Sequence, residues 1–248
     1  MCIRGHALEI LSFLVLAAGC AAAIPRDFGA RVPEPAQRDR ALPTVPTPSI
    51  NGMKVAASAH VTWTPPPRLL PASVPKATIP TVLVANISVG TTAIKLESTL
   101  LSDVGKELGA RVGHTGDASD SAGWICASGT GSAGRWALWL TTWELEGGRV
   151  SGLRWQRFPS NSTVDQRCAE LPRERQIELP HHLRLGISRT DVIASLGTPT
   201  LETKGSLLFV HENKLAIKGD HYTVDETVAI RLQHGRVSAI EVEKTTQD

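Results

Sequence analysis

Two segments of this 248-residue chain match each other: Ser102-Asp103-Val104-Gly105-Lys106-Glu107-Leu108-Gly109 and, 88 positions later, Thr190-Asp191-Val192-Ile193-Ala194-Ser195-Leu196-Gly197. A second match, at an offset of 87, joins Leu145-Glu146-Gly147-Gly148-Arg149-Val150-Ser151-Gly152-Leu153 to Leu232-Gln233-His234-Gly235-Arg236-Val237-Ser238-Ala239-Ile240. Two matches at nearly one offset indicate an internal duplication. We therefore expect two tandem repeats, residues 81–179 and 180–248.

The second repeat carries local signals for a short helix followed by strands. Ser188 is a typical N-cap, Asp191 complements the positive end of a helix dipole, and Gly197 with Pro199 ends the helix. After it, apolar residues alternate with polar ones on both sides of a His234-Gly235 turn, which predicts a β-hairpin. The predicted fold class is α+β: two tandem units, each with short helices packed on one face of an antiparallel sheet.

The alternation also assigns the two faces of the predicted hairpins. In the second repeat, the core face takes Val228, Ile230, Leu232, Ile240 and Val242. The offset of 87 then assigns the core face of the first repeat to Trp143, Leu145, Leu153 and Trp155. The opposite, solvent-facing side would carry Leu138, Leu140, Thr142 and Glu144, joined by Arg231 of the second repeat. Because clustered exposed apolar residues mark contact surfaces, these five residues are the predicted partner-binding site.

The string from Leu185 to Pro199, with Leu185-Gly186-Ile187-Ser188, Asp191-Val192 and Leu196-Gly197-Thr198-Pro199, resembles the helix-entry motif of small outer-membrane assembly lipoproteins of the SmpA/OmlA type. Its tandem arrangement resembles the secreted β-lactamase inhibitor proteins. The likeness covers about 165 residues, and the first repeat departs from it, because no proline follows Gly109. The resemblance implies a helix-over-sheet module, without enzymatic activity, whose concave sheet surface holds another protein.

The N-terminus indicates export. Residues 1–23 combine Arg4, a short apolar run and small residues, as in a secretory signal peptide. Ala17-Ala18-Gly19-Cys20 resembles a lipobox, which would make Cys20 a lipidated first residue and anchor the chain to the outer membrane, whereas Ala21-Ala22-Ala23 suits ordinary cleavage. Residues 24–80 hold 12 of the 16 prolines. That composition predicts a disordered tether in the periplasm.

Composition and cysteine count bound the remaining chemistry. A net charge of +2 with 20% charged residues excludes a polycationic nucleic-acid binder, and nucleic acid is not an expected partner. Cys2 and Cys20 belong to the predicted signal, so Cys126 and Cys168 remain. In an oxidising compartment this even pair is expected to form a disulfide.

The motifs for catalysis or cofactor binding are weak. Residues 129–134 match GxGxxG, but a strand follows where a dinucleotide site needs a helix, so a hairpin loop is expected. The histidines lack the spacing of a helical metal site. We therefore expect no catalytic residues, no cofactor and no metal. The alternatives to a protein-binding module are an envelope hydrolase using the His114 to Ser132 region, with Asp117 and Ser119, and a structural spacer. The partner would be an unidentified envelope or secreted protein.

Overall fold

The computed structural model describes residues 59–71, 73–79, 83, 86–116, 121–131, 134–143, 147–172, 177–217 and 220–247. Their helices are α1 (Leu101–Leu108) and α2 (Arg189–Leu196), with a 3₁₀ turn at Pro180–His182. Their strands are β1 (His60–Val61), β2 (Ile87–Val89), β3 (Thr92–Ile94), β4 (Val112–Thr115), β5 (Ala122–Gly131), β6 (Gly134–Trp143), β7 (Gly152–Phe158), β8 (Thr163–Val164), β9 (Ala169–Glu170), β10 (Ile177–Glu178), β11 (Leu201–Thr203), β12 (Ser206–Ile217), β13 (Asp220–Gln233) and β14 (Arg236–Gln247).

Local signals account for both helices and the main hairpins. The Ser188 hydroxyl accepts a hydrogen bond from the Asp191 backbone N–H at 3.1 Å, and the Asp191 carboxylate accepts from the Ser188 N–H at 3.2 Å, so a capping box starts α2. Gly109 ends α1 in the left-handed conformation, with φ 66°. The predicted turn at His234-Gly235 joins β13 to β14. Of the glycine-rich segment 129–134, residues 129–131 lie in β5 and Gly134 begins β6, with Gly131 paired to Gly134, while residues 132–133 lie outside the described part.

A nine-stranded sheet dominates the structure. Its strand order is β11-β12-β13-β14-β7-β6-β5-β4, all antiparallel, with β9 added in parallel to part of β5. A three-stranded sheet, β10-β2-β3, and the two helices pack on one face of it. The main core between these layers includes Leu138, Leu153, Ile230 and Ile240, each at most 1% exposed.

The predicted α+β fold class with two tandem units is wrong. Of the described residues 53% are in strands and 11% in helices, and one continuous sheet spans both halves of the duplicated sequence. The physical reason is that β7 and β14 pair with each other: residues 152–156 of β7 form five antiparallel residue pairs with residues 239–243 of β14. Because an unpaired strand edge exposes backbone polar groups, this pairing removes the two free edges that separate units would leave.

The second face of the sheet is also covered, by an extended segment that we name the strap, residues 59–71 and 73–79. Val61 is fully buried against Trp139, and the indole N–H of Trp139 donates to the backbone carbonyls of Thr62 and Trp63 at 3.2 Å. Leu70 packs with Leu208, Val210 and Ala229. The prediction of a disordered tether therefore does not hold for these residues; residues 24–58 lie outside the described part.

Polar contacts hold the middle of the strap. Glu241 on β14 is 5% exposed, and its Oε2 accepts from Arg154 Nη1 at 2.6 Å and from the strap backbone N–H of Leu69 at 2.7 Å. Arg68 pairs with Glu243 and reaches Glu241 at 3.8 Å. At the C-terminal end of the strap, the backbone N–H of Ile79 donates to the carbonyl of Val210 at 3.0 Å. The strap therefore pairs with the edge of β12 beyond Leu208, the last residue that pairs with β11.

The predicted disulfide between Cys126 and Cys168 is confirmed. It joins β5 to the residue before β9, beside Val61 and Trp139 under the strap. The bridge spans 42 positions of sequence, which corresponds to about 4 kcal/mol of stabilisation in the chain-entropy model. It therefore fastens the loop after β7 to the sheet on the face that the strap covers.

The packing of the strap predicts the effect of a charge at Leu70. Replacing Leu70 with Asp should lower the free energy of unfolding by about 2–4 kcal/mol, because the change removes a buried apolar contact and desolvates a carboxylate. Urea denaturation of the full chain measures it. The matched control is Val74→Asp, in the same segment but 46% exposed, which should change stability by less than about 0.5 kcal/mol. Equal small effects would contradict the packed strap.

The buried ion pair predicts that loss of its carboxylate destabilises the protein more than loss of a carboxylate from a surface pair. Glu241→Gln should lower the free energy of unfolding by about 3–5 kcal/mol, because it leaves the Arg154 charge buried without a counter-charge. The control is Glu202→Gln, which removes a carboxylate from the surface pair with Arg189, whose side chains are 44% and 45% exposed. That change should cost about 1 kcal/mol or less. Equal losses in denaturant titrations of the two variants would refute the special role of the buried pair.

Candidate functional site

A large concavity lies between the three-stranded sheet and the segment that runs from the 3₁₀ turn into α2. We name it the groove. Its volume is about 1170 Å³, and its walls include Ser88, Ala93 and Lys95 on one side and His182, Arg184 and Ser195 on the other. The groove exceeds the 300–1,000 Å³ of most small-molecule sites, so its size suits a longer ligand.

One wall of the groove is the open edge of a sheet. β3 pairs with β2 on one side only, and no strand of the described residues occupies its other side. The two-residue turn Gly90–Thr91 joins them, so Val89 and Thr92 form the hydrogen-bonded pair next to the turn. By the alternation of antiparallel pairs, the backbone N–H and C=O of Ala93 point away from β2. Ala93 is exposed and lines the groove, so this edge can accept a further strand.

The carboxylates of the groove accept hydrogen bonds from serine residues, whereas its lysine and arginine form no salt bridge among the described residues. The Ser188 hydroxyl and backbone N–H both donate to the Asp191 carboxylate, and these hydrogen bonds hold the pKa of Asp191 below its usual range. The second carboxylate, Glu178, accepts from the Ser88 hydroxyl at 3.5 Å. Lys95 and Arg184 form no salt bridge within 4.0 Å in the part of the chain that the structure describes. The groove therefore presents two cations outside salt bridges together with two carboxylates, and the charge of Arg184 also lowers the pKa of Asp191.

Two consecutive histidines at the rim of the groove have a strained backbone. His181 and His182 both adopt positive φ, 58° and 57°. For residues with a Cβ this conformation costs on the order of 1 kcal/mol each, and such strain concentrates at functional sites. Their side chains also line the groove. The strain is a second sign, independent of volume, that this region has a role beyond packing.

The structure describes four of the five residues of the predicted partner-binding site. Leu138 and Leu140 are 1% and 0% exposed, lie in the main core and pair with Trp155 and Leu153. Their assignment to a solvent-facing side is wrong. Thr142 is 6% exposed on the same strand, whereas Arg231 is exposed on β13. Glu144 lies outside the described residues.

The error in the face of β6 has a simple geometric cause. Thr141 pairs with Gly152 and Arg231 with Ala239, so the hairpin connection is three residues longer in the first repeat. Because side chains alternate with a period of two, an odd insertion moves the preceding strand to the opposite face. Leu153 and Trp155, after the connection, are buried as expected, but Trp143 is 40% exposed and contacts Arg68. Leu145 lies outside the described residues.

Little of the alternative hydrolase site can be placed. His114 is exposed on β4, while Asp117, Ser119 and Ser132 lie outside the described residues. Among the residues that the structure describes, no three His, Cys, Asp or Glu side chains come together as metal ligands would. Residues 1–23 and Cys20 also lie outside the described part. In the described chain, neither helix has the length and apolar character needed to cross a bilayer.

Comparison with protein-family models, curated proteins and solved structures found no match to this chain. The groove therefore has to be interpreted from its own chemistry. Sequence reasoning missed it, although Pro180-His181-His182 after a short strand is an unusual turn sequence that could have drawn attention to this segment.

Proposed function

We propose that this chain is an exported, non-enzymatic protein-binding module that holds an extended, acidic segment of an envelope or secreted protein in the groove. The single observation that carries the proposal is the open edge of β3 along the groove wall. Addition of a peptide strand to a sheet edge supplies main-chain hydrogen bonds, and the side chains around it supply specificity.

The charge of the groove supports an acidic ligand. Lys95 and Arg184 line the groove without a salt bridge within 4.0 Å in the described residues, whereas the carboxylates of Glu178 and Asp191 accept from serine hydroxyls. A peptide carboxylate in the groove would meet cations without displacing an internal salt bridge. Complementary charge of this kind raises the association rate and selects against basic partners.

The confirmed disulfide supports export. Disulfides persist in oxidising compartments and are rare in the cytosol, so a bridged pair agrees with a signal peptide at residues 1–23 and a periplasmic location. Lipidation at Cys20 would anchor the module to the outer membrane, and cleavage after Ala23 would release it.

Selection of random displayed peptides against the full chain tests the function. We expect enrichment of acidic sequences. The double variant Lys95→Glu/Arg184→Glu should weaken an enriched peptide at least tenfold in fluorescence anisotropy, because it reverses the charge of both walls. Methylation of the central peptide amide should also weaken binding, because it removes a main-chain donor.

The matched control is Arg111→Glu/Arg149→Glu, which makes the same charge change at two exposed arginines outside the groove. This variant should bind the peptide within about twofold of the original chain. Enrichment of neutral or basic peptides, or an equal loss in both double variants, would contradict the proposed site.

Mass spectrometry of the mature protein tests the export part of the proposal. After expression with its own N-terminus, the chain should begin either at an acylated Cys20 or at Ile24, because the two cleavage motifs compete. A Cys20→Ala variant separates them: it should abolish acylation but leave cleavage after Ala23 intact. A protein that retains Met1 in the cytosol would refute export.

A further inference from the structure

A second concavity lies where two central strands diverge. β14 pairs with β7 only from Ala239 onward, opposite Gln156. On the other side of β14, Arg231 pairs with Ala239 and Leu232 with Val237, so Ser238 is an extra residue without a partner on β13. This is a β-bulge, a feature that bends a strand and is over-represented beside functional sites. The Ser238 hydroxyl fixes it by donating to the Arg231 carbonyl at 3.2 Å.

The divergence opens a cavity of about 290 Å³, which we name the notch. The polar residues of its lining are Gln156, Arg157, Arg231, Gln233 and Ser238. Two of these are arginines and none is acidic. Neither arginine forms a salt bridge within 4.0 Å in the described ranges. On the face of Gln156 the notch is bordered by Arg231, whereas Arg157 follows Gln156 on β7 and its side chain points to the opposite face; none of the lining residues is acidic.

The neighbouring buried pair orients one of the donors. Arg154 Nη2 donates to Gln156 Oε1 at 2.9 Å, which engages the oxygen of this amide and leaves its two N–H donors available. The nearest acidic partner of this network, Glu241, already accepts from Arg154 and from the backbone of Leu69. Its charge is thus committed to the sheet and the strap.

The electrostatics of Arg154 agree with an excess of positive charge here. Burial lowers the pKa of Arg154, Glu241 opposes that effect, and the charge of Arg231 lowers it further. Arg231 is therefore close enough to repel Arg154. An anion in the notch would relieve this repulsion.

We propose that the notch binds a phosphate group, either free phosphate or the phosphate of a lipid headgroup. Arginine guanidinium groups present paired N–H donors that match phosphate oxygens, and the amides add neutral donors around the same space. The notch is too small for a polypeptide strand but admits a tetrahedral oxyanion. This site is separate from the groove and does not depend on the function proposed for it.

Phosphate titration of the full ¹⁵N-labelled chain at constant ionic strength tests the site. The Ser238 backbone amide and the Gln156 side-chain amide should shift and saturate together. Arg231→Gln should weaken this binding at least fivefold, because it removes the guanidinium on the face of Gln156. Arg111→Gln, at an exposed arginine outside the notch, is the matched control and should bind phosphate as the original chain does.

Sedimentation with vesicles distinguishes the two sources. Binding to vesicles of phosphatidylcholine with phosphatidylglycerol that is lost in Arg231→Gln would support the headgroup, and saturation by free phosphate without such vesicle binding would support a soluble phosphate. If neither probe binds, the proposal is overturned. It is equally overturned if the shifts are linear in phosphate concentration, or if Arg231→Gln and Arg111→Gln behave alike.

Discussion

The ion pair between Arg154 and Glu241 stands where the two halves of the sheet join. Both side chains are buried, and their strands, β7 and β14, form the only contact that makes one sheet of the two sets of strands described here. A buried pair offsets its desolvation only if its remaining donors and acceptors are used. Here Gln156 accepts from Arg154, and the backbone N–H of Leu69, in the strap, donates to Glu241, whereas Arg154 Nε and Glu241 Oε1 have no hydrogen-bond partner among the described residues. One charge pair thus couples the join to the cover of the sheet.

That coupling explains why the sheet has no open face in its centre. The helices and the small sheet cover one side, while the strap, the disulfide and the tryptophan at position 139 close the other. Burial on both sides accounts for long buried runs such as residues 123–129 of β5, where a sheet with one wet face would alternate. It also removes the broad sheet surface as a contact area, and leaves the places where pairing stops.

The parts of this fold that sequence predicts are those with local causes. The cap at Ser188, the stop at Gly197, the turn at His234-Gly235 and the bridge between the two remaining cysteines each follow from a few residues. The face of Leu138 was not predictable in this way, because it depends on a loop three residues longer in one repeat than in the other. The prediction that the strap is disordered was wrong for another reason. Proline removes backbone donors, but an extended segment can still pack through side chains such as Leu70 and accept hydrogen bonds at its carbonyls.

The groove and the notch could not be predicted from the sequence, because both lie where strand pairing stops. The groove depends on an edge strand of only three residues, and the notch depends on one unpaired residue, Ser238. Both are irregularities in pairing, and hydrophobic alternation carries no information about where pairing ends. Backbone groups without a strand partner need another donor or acceptor. In a sheet covered on both faces, such positions offer polar ligands the most direct access to the backbone, so recognition is expected at the ends and breaks of strands, away from their covered faces.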